Sequence, residues 1–176
     1  MRKHYFFFDI DGTLAAGPIM GRYIPESTKR ALEILKSEGH FLAICTGRLH
    51  AMGEGFMHEL GFQNMVADGG NSLTLDGEFL GIKPLDTQAC IDVIEECERL
   101  DVVWAISFDD SRRRWTRYAN YDALVHDSYM ETVVNPELDY RSIECFYKVY
   151  VICSPEEERR IASLSKVPTA RFSPYA

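Results

Sequence analysis

Two acidic side chains near the amino terminus, Asp9 and Asp11, are the residues best suited to chemistry. They directly follow four large apolar residues, Tyr5-Phe6-Phe7-Phe8, a run that predicts a strand buried on both faces, as in parallel sheets. Side chains two positions apart in a strand point the same way, so the two carboxylates can converge where the strand ends. Close carboxylates need a counter-charge, which a hard divalent cation such as Mg²⁺ supplies through oxygen ligands.

The plain alternative is an acidic turn after a core strand. A single Asp-Gly pair would fit that alternative. Two Asp followed by Gly12 and Thr13 in fixed register favour a functional site, because the carboxyl ends of parallel strands are where open α/β sheets bind ligands.

The segments around this motif alternate between strand and helix. Helical periodicity predicts helices over 25–37 and 49–60, and short apolar runs predict strands over 41–45 and 64–67. This alternation indicates a parallel sheet with right-handed crossovers. Asp76-Gly77 then predicts a hairpin between strands 72–75 and 78–82, and Pro84 is a candidate domain boundary.

The second half of the chain predicts a smaller α+β unit. We expect helices over 87–100 and from Ser154 onward, with strands over 102–108, 113–118, 145–153 and 167–172. Residues 120–135 are ambiguous. Arg112–Arg117 is the most conspicuous segment here, and it is either an anion-binding face or a solvated edge strand, since basic residues discourage edge pairing.

Thr46-Gly47-Arg48 follows the second predicted strand and is a second candidate site. A hydroxyl and backbone N–H groups near a helix start can bind phosphate oxygens, and Gly47 lets the backbone approach. The alternative is that Thr46 caps the next helix. Arg48 could reach the phosphate or pair with surface acids. Asn71, after the third strand, is best explained as a turn residue.

At Asp9-Ile10-Asp11-Gly12-Thr13 the sequence resembles the haloacid dehalogenase (HAD) superfamily of phosphohydrolases, whose first motif is DxDGT. The second motif, Thr46-Gly47-Arg48, and the segment 84–176 resemble the IIB, Cof-like subgroup of this superfamily. The resemblance implies an α/β fold: an incomplete Rossmann-like parallel-sheet core over 1–83 and an inserted α+β cap over 84–176.

The resemblance also implies residue roles. Asp9 would attack phosphorus and become an aspartyl-phosphate, and Asp11 would act as general acid and then as base. Both would ligate Mg²⁺. The phosphate would be held by Ile10, Gly12, Thr13, Thr46, Gly47 and Arg48.

A complete subgroup member also carries a Lys after the cap and a GDGxND-type motif whose Asp completes the Mg²⁺ shell. No GDG triplet occurs, and Lys166 is a poor match for that Lys. The resemblance therefore implies that the chain covers only the first part of a full member. We expect little phosphatase activity from these 176 residues, and an exposed sheet edge through which a homo-oligomer could form.

Composition narrows the function classes. A net charge of −8 disfavours binding to nucleic-acid phosphates, and no apolar run is long enough to span a membrane. Five cysteines without a CxxC pair predict reduced thiols and a cytoplasmic protein. We expect Cys45, Cys90, Cys97 and Cys153 to pack in the core.

The leading hypothesis is a Mg²⁺-dependent phosphatase for small phosphorylated metabolites, either sugar phosphates or a cofactor phosphate. Two alternatives stay open. One is a phosphomutase or phosphotransferase that uses the same aspartyl-phosphate. The other is a non-catalytic fragment that binds a ligand or partner.

Overall fold

The computed structural model describes residues 2–17, 21–125 and 129–164. The chain divides into two compact units, Met1–Lys83 and Pro84–Ala176, with the division at the Pro84 that the sequence marks. That the units act as a catalytic core and its cap stays a prediction. The predicted strand over 167–172 and Lys166 lie outside the described residues.

The described residues of the first unit form a five-stranded sheet with two α-helices. Its elements are β1 (Tyr5–Phe8), α1 (Glu26–Ser37), β2 (Phe41–Cys45), α2 (His50–Glu59), β3 (Met65–Ala67), β4 (Ser72–Leu75) and β5 (Glu78–Ile82). The strands lie in the order β1-β2-β3-β4-β5. Strands β1, β2 and β3 are parallel to one another, whereas β4 is antiparallel to both β3 and β5. The α/β class is confirmed.

In the second unit, the part that the structure describes forms a four-stranded sheet with three α-helices. Its elements are α3 (Thr87–Arg99), β6 (Val103–Ser107), β7 (Arg113–Thr116), α4 (Tyr121–Val125), β8 (Glu131–Val134), β9 (Lys148–Ile152) and α5 (Pro155–Leu164). The strands lie in the order β8-β7-β6-β9. The ambiguous stretch 120–135 therefore contributes α4 and β8. Among the described residues, every helix is too short or too polar to cross a bilayer.

The prediction that β1 is buried on both faces is wrong. Phe6 and Phe8 pack on a core cluster to which α1 and α2 also contribute. Tyr5 and Phe7 remain 64% and 60% exposed. Alternate side chains of a strand point to opposite faces, and α1 and α2 add their buried side chains on the Phe6 and Phe8 side. Among the described residues, the unbroken apolar run of β1 is therefore buried on one face of the sheet and exposed on the other.

The edge-strand explanation of the basic segment is also wrong. β7 pairs with β6 on one side and with β8 on the other. Arg114 is only 1% exposed and bonds to Thr132, while Arg117 donates to the Leu138 carbonyl. These two guanidiniums hold the second unit together, and their contacts give no support to an anion-binding face.

The thiols follow the predicted burial with one exception. Cys90 and Cys97 are buried and Cys153 is half-buried, whereas Cys45 is exposed. Cys45 is the last residue of β2, whose interior residues Leu42, Ala43 and Ile44 are all buried, so its exposure goes with its place at the end of the strand. All five cysteines lie in the described part of the chain and are free in the structure; that these thiols are reduced stays a prediction.

Candidate active site

A tight turn carries the two acidic side chains at the carboxyl end of β1. The Leu14 N–H donates to the Asp9 carbonyl at 3.2 Å, and the Ala15 N–H donates to the Ile10 carbonyl at 2.8 Å. Ile10 is fully buried and anchors the turn in the core. Gly12 adopts a φ of 80°, a left-handed conformation that favours glycine. The turn therefore presents Asp9, which is exposed, and Asp11, which is half-buried, on either side of a fixed apolar anchor.

Arg48 donates hydrogen bonds to both oxygens of the Asp11 carboxylate. The Arg48 Nε lies 2.8 Å from Oδ2, and Nη2 lies 2.6 Å from Oδ1. Arg22 forms a second ion pair with the same carboxylate. The Arg48 guanidinium also lies over the Phe56 ring, 5.2 Å from its centroid. A planar guanidinium matches a carboxylate in this two-point way, which fixes direction as well as charge. Asp11 is thus held by two cations.

The loop that carries Arg48 is ordered by Thr46. Thr46 is buried, its N–H donates to the Val66 carbonyl at 2.9 Å, and its Oγ1 accepts from the Arg48 N–H at 3.2 Å. Helix α2 begins later, at His50, with Leu49 as its N-cap residue. The alternative in which Thr46 caps this helix is therefore wrong. Its hydroxyl shapes the loop and can still donate its own proton to a ligand.

The remaining predicted phosphate contacts are placed as follows. The Gly12 N–H donates to the Ala15 carbonyl at 3.0 Å, and the Thr13 N–H points to the Ile10 carbonyl at 3.4 Å, so the turn itself engages both amides. Gly47 is exposed, and a Cβ built there would meet open space. A phosphate role for these residues and for Ile10 stays a prediction.

The fit of the acidic pair to Mg²⁺ is incomplete. The described residues contain no group of three or more His, Cys, Asp or Glu side chains that could hold a metal ion. The exposed carboxylate of Asp9 suits a hard cation. The carboxylate of Asp11 does not, because the guanidinium of Arg48 occupies both oxygens. Magnesium dependence therefore stays a prediction.

Two residues near this site escaped prediction. Arg22 lies in an irregular loop, where an isolated Arg gives no sequence signal. Asp68, at the end of β3, is 3% exposed and adopts a φ of 54°. Asp68 begins the three-residue 3-10 turn Asp68–Gly70, and the Asn71 side-chain amide donates to the Asp68 carbonyl at 3.3 Å. The turn expected at Asn71 is therefore confirmed, and an acid directly before two glycines was the available signal in the sequence.

Residues 6–164 match the family model of haloacid dehalogenase-like hydrolases, so the chain belongs to that family. A relative in Bacillus subtilis (strain 168), named "Putative phosphatase YkrA", is 22% identical over 179 residues; the match covers 98% of this chain and 66% of the relative.

Solved structures share the fold. A hypothetical protein of Geobacillus kaustophilus HTA426 is 27% identical, with a TM-score of 0.71, over 93% of this chain and 62% of that one. The subclass IIB sugar phosphatase BT4131 is 21% identical, with a TM-score of 0.68, over 93% of this chain and 64% of its own length. The chain thus spans slightly less than two thirds of the relatives it matches.

Proposed function

We propose that this chain carries the reacting groups of a phosphoric monoester hydrolase for small phosphorylated metabolites. Family membership supports the reaction class. The observation that carries the proposal is the contact between two loops. The loop after β1 carries the exposed carboxylate of Asp9 and, two residues later, Asp11. The loop after β2 carries Arg48, which hydrogen-bonds both oxygens of Asp11. A nucleophile, a proton carrier and an anion-binding cation thereby share one end of neighbouring parallel strands.

Asp9 is the nucleophile in this proposal. Its exposed position at the end of β1 leaves a carboxylate oxygen accessible to an incoming phosphorus atom. Attack forms an O–P bond and breaks the ester P–O bond, so an aspartyl-phosphate forms and the alcohol leaves. Water then attacks the phosphorus and the bond between the Asp9 oxygen and phosphorus breaks, so inorganic phosphate leaves and Asp9 is regenerated.

Asp11 carries the proton in this proposal, and Arg48 controls it. A carboxylate under a guanidinium favours its ionised form, whereas protonation of the leaving oxygen needs the acid. A phosphate dianion attracts the same guanidinium and offers the same two-point contact. Substrate binding therefore draws Arg48 toward the phosphoryl oxygens and removes one of the two cations that hold Asp11 ionised, which favours uptake and delivery of a proton by Asp11. In the second step Asp11 removes a proton from the attacking water.

Thr46 and Gly47 complete the phosphate site. The Thr46 hydroxyl donates to a phosphoryl oxygen, and the open space at Gly47 accommodates the ligand. We also propose dependence on Mg²⁺, with Asp9 as the ligand that the structure leaves exposed; when bound, the ion neutralises charge on the phosphoryl oxygens.

Hydrolysis of p-nitrophenyl phosphate with MgCl₂ or with EDTA tests the proposal. We expect weak turnover that requires Mg²⁺ and disappears in Asp9→Asn, an isosteric change that removes the nucleophile. Asp76→Asn, at the tip of the β4–β5 hairpin, is the matched control and should keep wild-type turnover. Intact mass after an acid quench should show one added phosphoryl group in the wild type and none in Asp9→Asn. Equal turnover in wild type and Asp9→Asn would contradict the role of Asp9.

A second candidate is a domain that binds phosphorylated ligands without turnover. The two arginines on Asp11 and the lack of a three-residue metal cluster among the described residues favour it. Calorimetric titration with inorganic phosphate separates the candidates: binding without a phosphoenzyme or turnover supports the binding domain.

A further inference from the structure

Asp68 is a buried acid that the proposed chemistry does not use. It lies just after β3 and is 3% exposed. A buried carboxylate needs hydrogen-bond donors, because burial otherwise removes its hydration without replacement. Its φ of 54° is unusual for a residue with a side chain, although Asp tolerates it better than most. The hydrogen-bond donors around Asp68 therefore indicate which part of the chain it stabilises.

The Asp68 carboxylate caps helix α2 from another part of the chain. Its Oδ2 accepts from the N–H of His50, the first helical residue, at 3.0 Å. The helix's own N-cap residue, Leu49, provides no side-chain cap. The first N–H groups of a helix lack partners within the helix, and the positive end of the helix dipole favours a carboxylate there. Asp68 therefore fixes where α2 begins.

The backbone beside Asp68 fixes the same loop at its other positions. The Asp68 N–H donates to the Arg48 carbonyl at 2.7 Å, and the Gly69 N–H points to the Thr46 carbonyl at 3.4 Å. The loop from Thr46 to His50 is therefore attached to 68–69 at its start, its middle and its end. Arg48 sits in the middle, with its side chain on Asp11.

We propose that Asp68 is the positioning residue for the loop from Thr46 to His50, acting through the His50 N–H and the Arg48 carbonyl to aim the Arg48 guanidinium at Asp11. The proposal rests on the proposed function for the identity of the loop's ligand, a phosphoryl group, but not for the contacts themselves. The acceptor oxygen carries the role, and the negative charge opposes an incoming phosphate.

Four variants separate these contributions. Asp68→Asn keeps an acceptor oxygen and removes the charge. Asp68→Ala removes both, and Asp68→Gly removes both while relieving any strain from the positive φ, so it serves if Asp68→Ala fails to fold. Asp76→Ala is the matched control, because Asp76 has a similar φ of 50° at the tip of the hairpin.

Amide hydrogen exchange tests the positioning role without reference to activity. We expect exchange of the His50 amide to accelerate at least about tenfold in Asp68→Ala and Asp68→Gly, since the lost bond had a charged acceptor. Asp68→Asn should stay within about threefold of wild type, because a neutral acceptor is weaker but present. Unchanged exchange in Asp68→Gly, or equal acceleration in Asp76→Ala, would overturn the proposal.

Calorimetric titration with inorganic phosphate tests the consequence for the site. We expect Asp68→Ala and Asp68→Gly to bind phosphate at least about fivefold more weakly, and Asp68→Asn to bind at least as tightly as wild type because a like charge is gone. If wild type binds no phosphate, the proposed function fails, and hydrogen exchange still decides the positioning role. If wild type binds phosphate and all three variants match it, the positioning role fails and the proposed function stands.

Discussion

Replacing Arg48 should lower the free energy of unfolding of the first unit and weaken the binding of inorganic phosphate. Arg48→Met keeps most of the side-chain length and removes the two hydrogen bonds to Asp11, 2.8 and 2.6 Å long. A hydrogen bond to a charged group contributes about 1.5–3 kcal/mol. The Asp11 side chain is 34% exposed and also pairs with Arg22, so solvent and the second cation reduce each contribution to about 1 kcal/mol. We therefore expect the free energy of unfolding to fall by about 2 kcal/mol.

The free energy of unfolding of Arg48→Lys should lie between those of wild type and Arg48→Met. Lysine keeps the positive charge but contacts one oxygen as a point charge and loses the two-point geometry. We expect a fall of about 1 kcal/mol. Arg30→Met makes the same chemical change at an exposed position on α1 and should stay within about 0.5 kcal/mol of wild type.

The assay is urea denaturation followed by far-UV circular dichroism. Both tryptophans, Trp104 and Trp115, lie in the second unit, so tryptophan fluorescence in the same samples serves as an internal control. A double-mutant cycle with Asp11→Asn isolates the pair, and we expect a coupling energy of about 1–2 kcal/mol. The affinity for inorganic phosphate should fall about tenfold in Arg48→Met. A coupling energy near zero would refute the ion pair as a stabilising contact.

The remaining predictions concern burial and capping. Arg114→Met should lower the free energy of unfolding by about 2 kcal/mol, measured by urea denaturation with fluorescence, because the Arg114 guanidinium is buried and hydrogen-bonded; a change below 0.5 kcal/mol would contradict this. Ser154→Ala should cost about 1 kcal/mol by the same measurement, since Ser154 Oγ accepts from an N–H in the first turn of α5. A thiol reagent at neutral pH should modify Cys45 at once and Cys90 and Cys97 only on unfolding, because burial raises the pKa of both to about 12. Since the folded state keeps these two protons, their contribution to stability is complete below about pH 9 and is lost as the pH rises toward 12.

Local patterns predicted most of the fold. The hairpin strands 72–75 and 78–82 agree with β4 and β5 residue for residue, because Asp76-Gly77 fixes the turn. A register shift between Ser72 and Thr74 had no signal in the turn. Strand β2 also agrees, since a short apolar run with β-branched Ile44 leaves little choice. Helix ends shifted by about one residue, because capping depends on a few hydrogen bonds that propensity does not resolve.

Burial was harder to predict than secondary structure. The apolar run of β1 indicates a strand but not which faces are covered, and Tyr5 and Phe7 are exposed. Arg114 shows the reverse case, since a charged residue in a basic run became one of the most buried side chains. In both cases the deciding contacts come from other elements of the sheet.

The sequence by itself determined the α/β class and the turn that carries Asp9 and Asp11 at the end of β1, because a strand, a glycine turn and two acids interact over a few residues. Tertiary structure decided which cations meet those acids. Arg48 and Asp11 are 37 residues apart, and Asp68 caps a helix whose first residue lies 18 positions earlier. Contacts at such separations exist only after the strands have paired, because packing, and not local propensity, brings their loops to one end of the sheet.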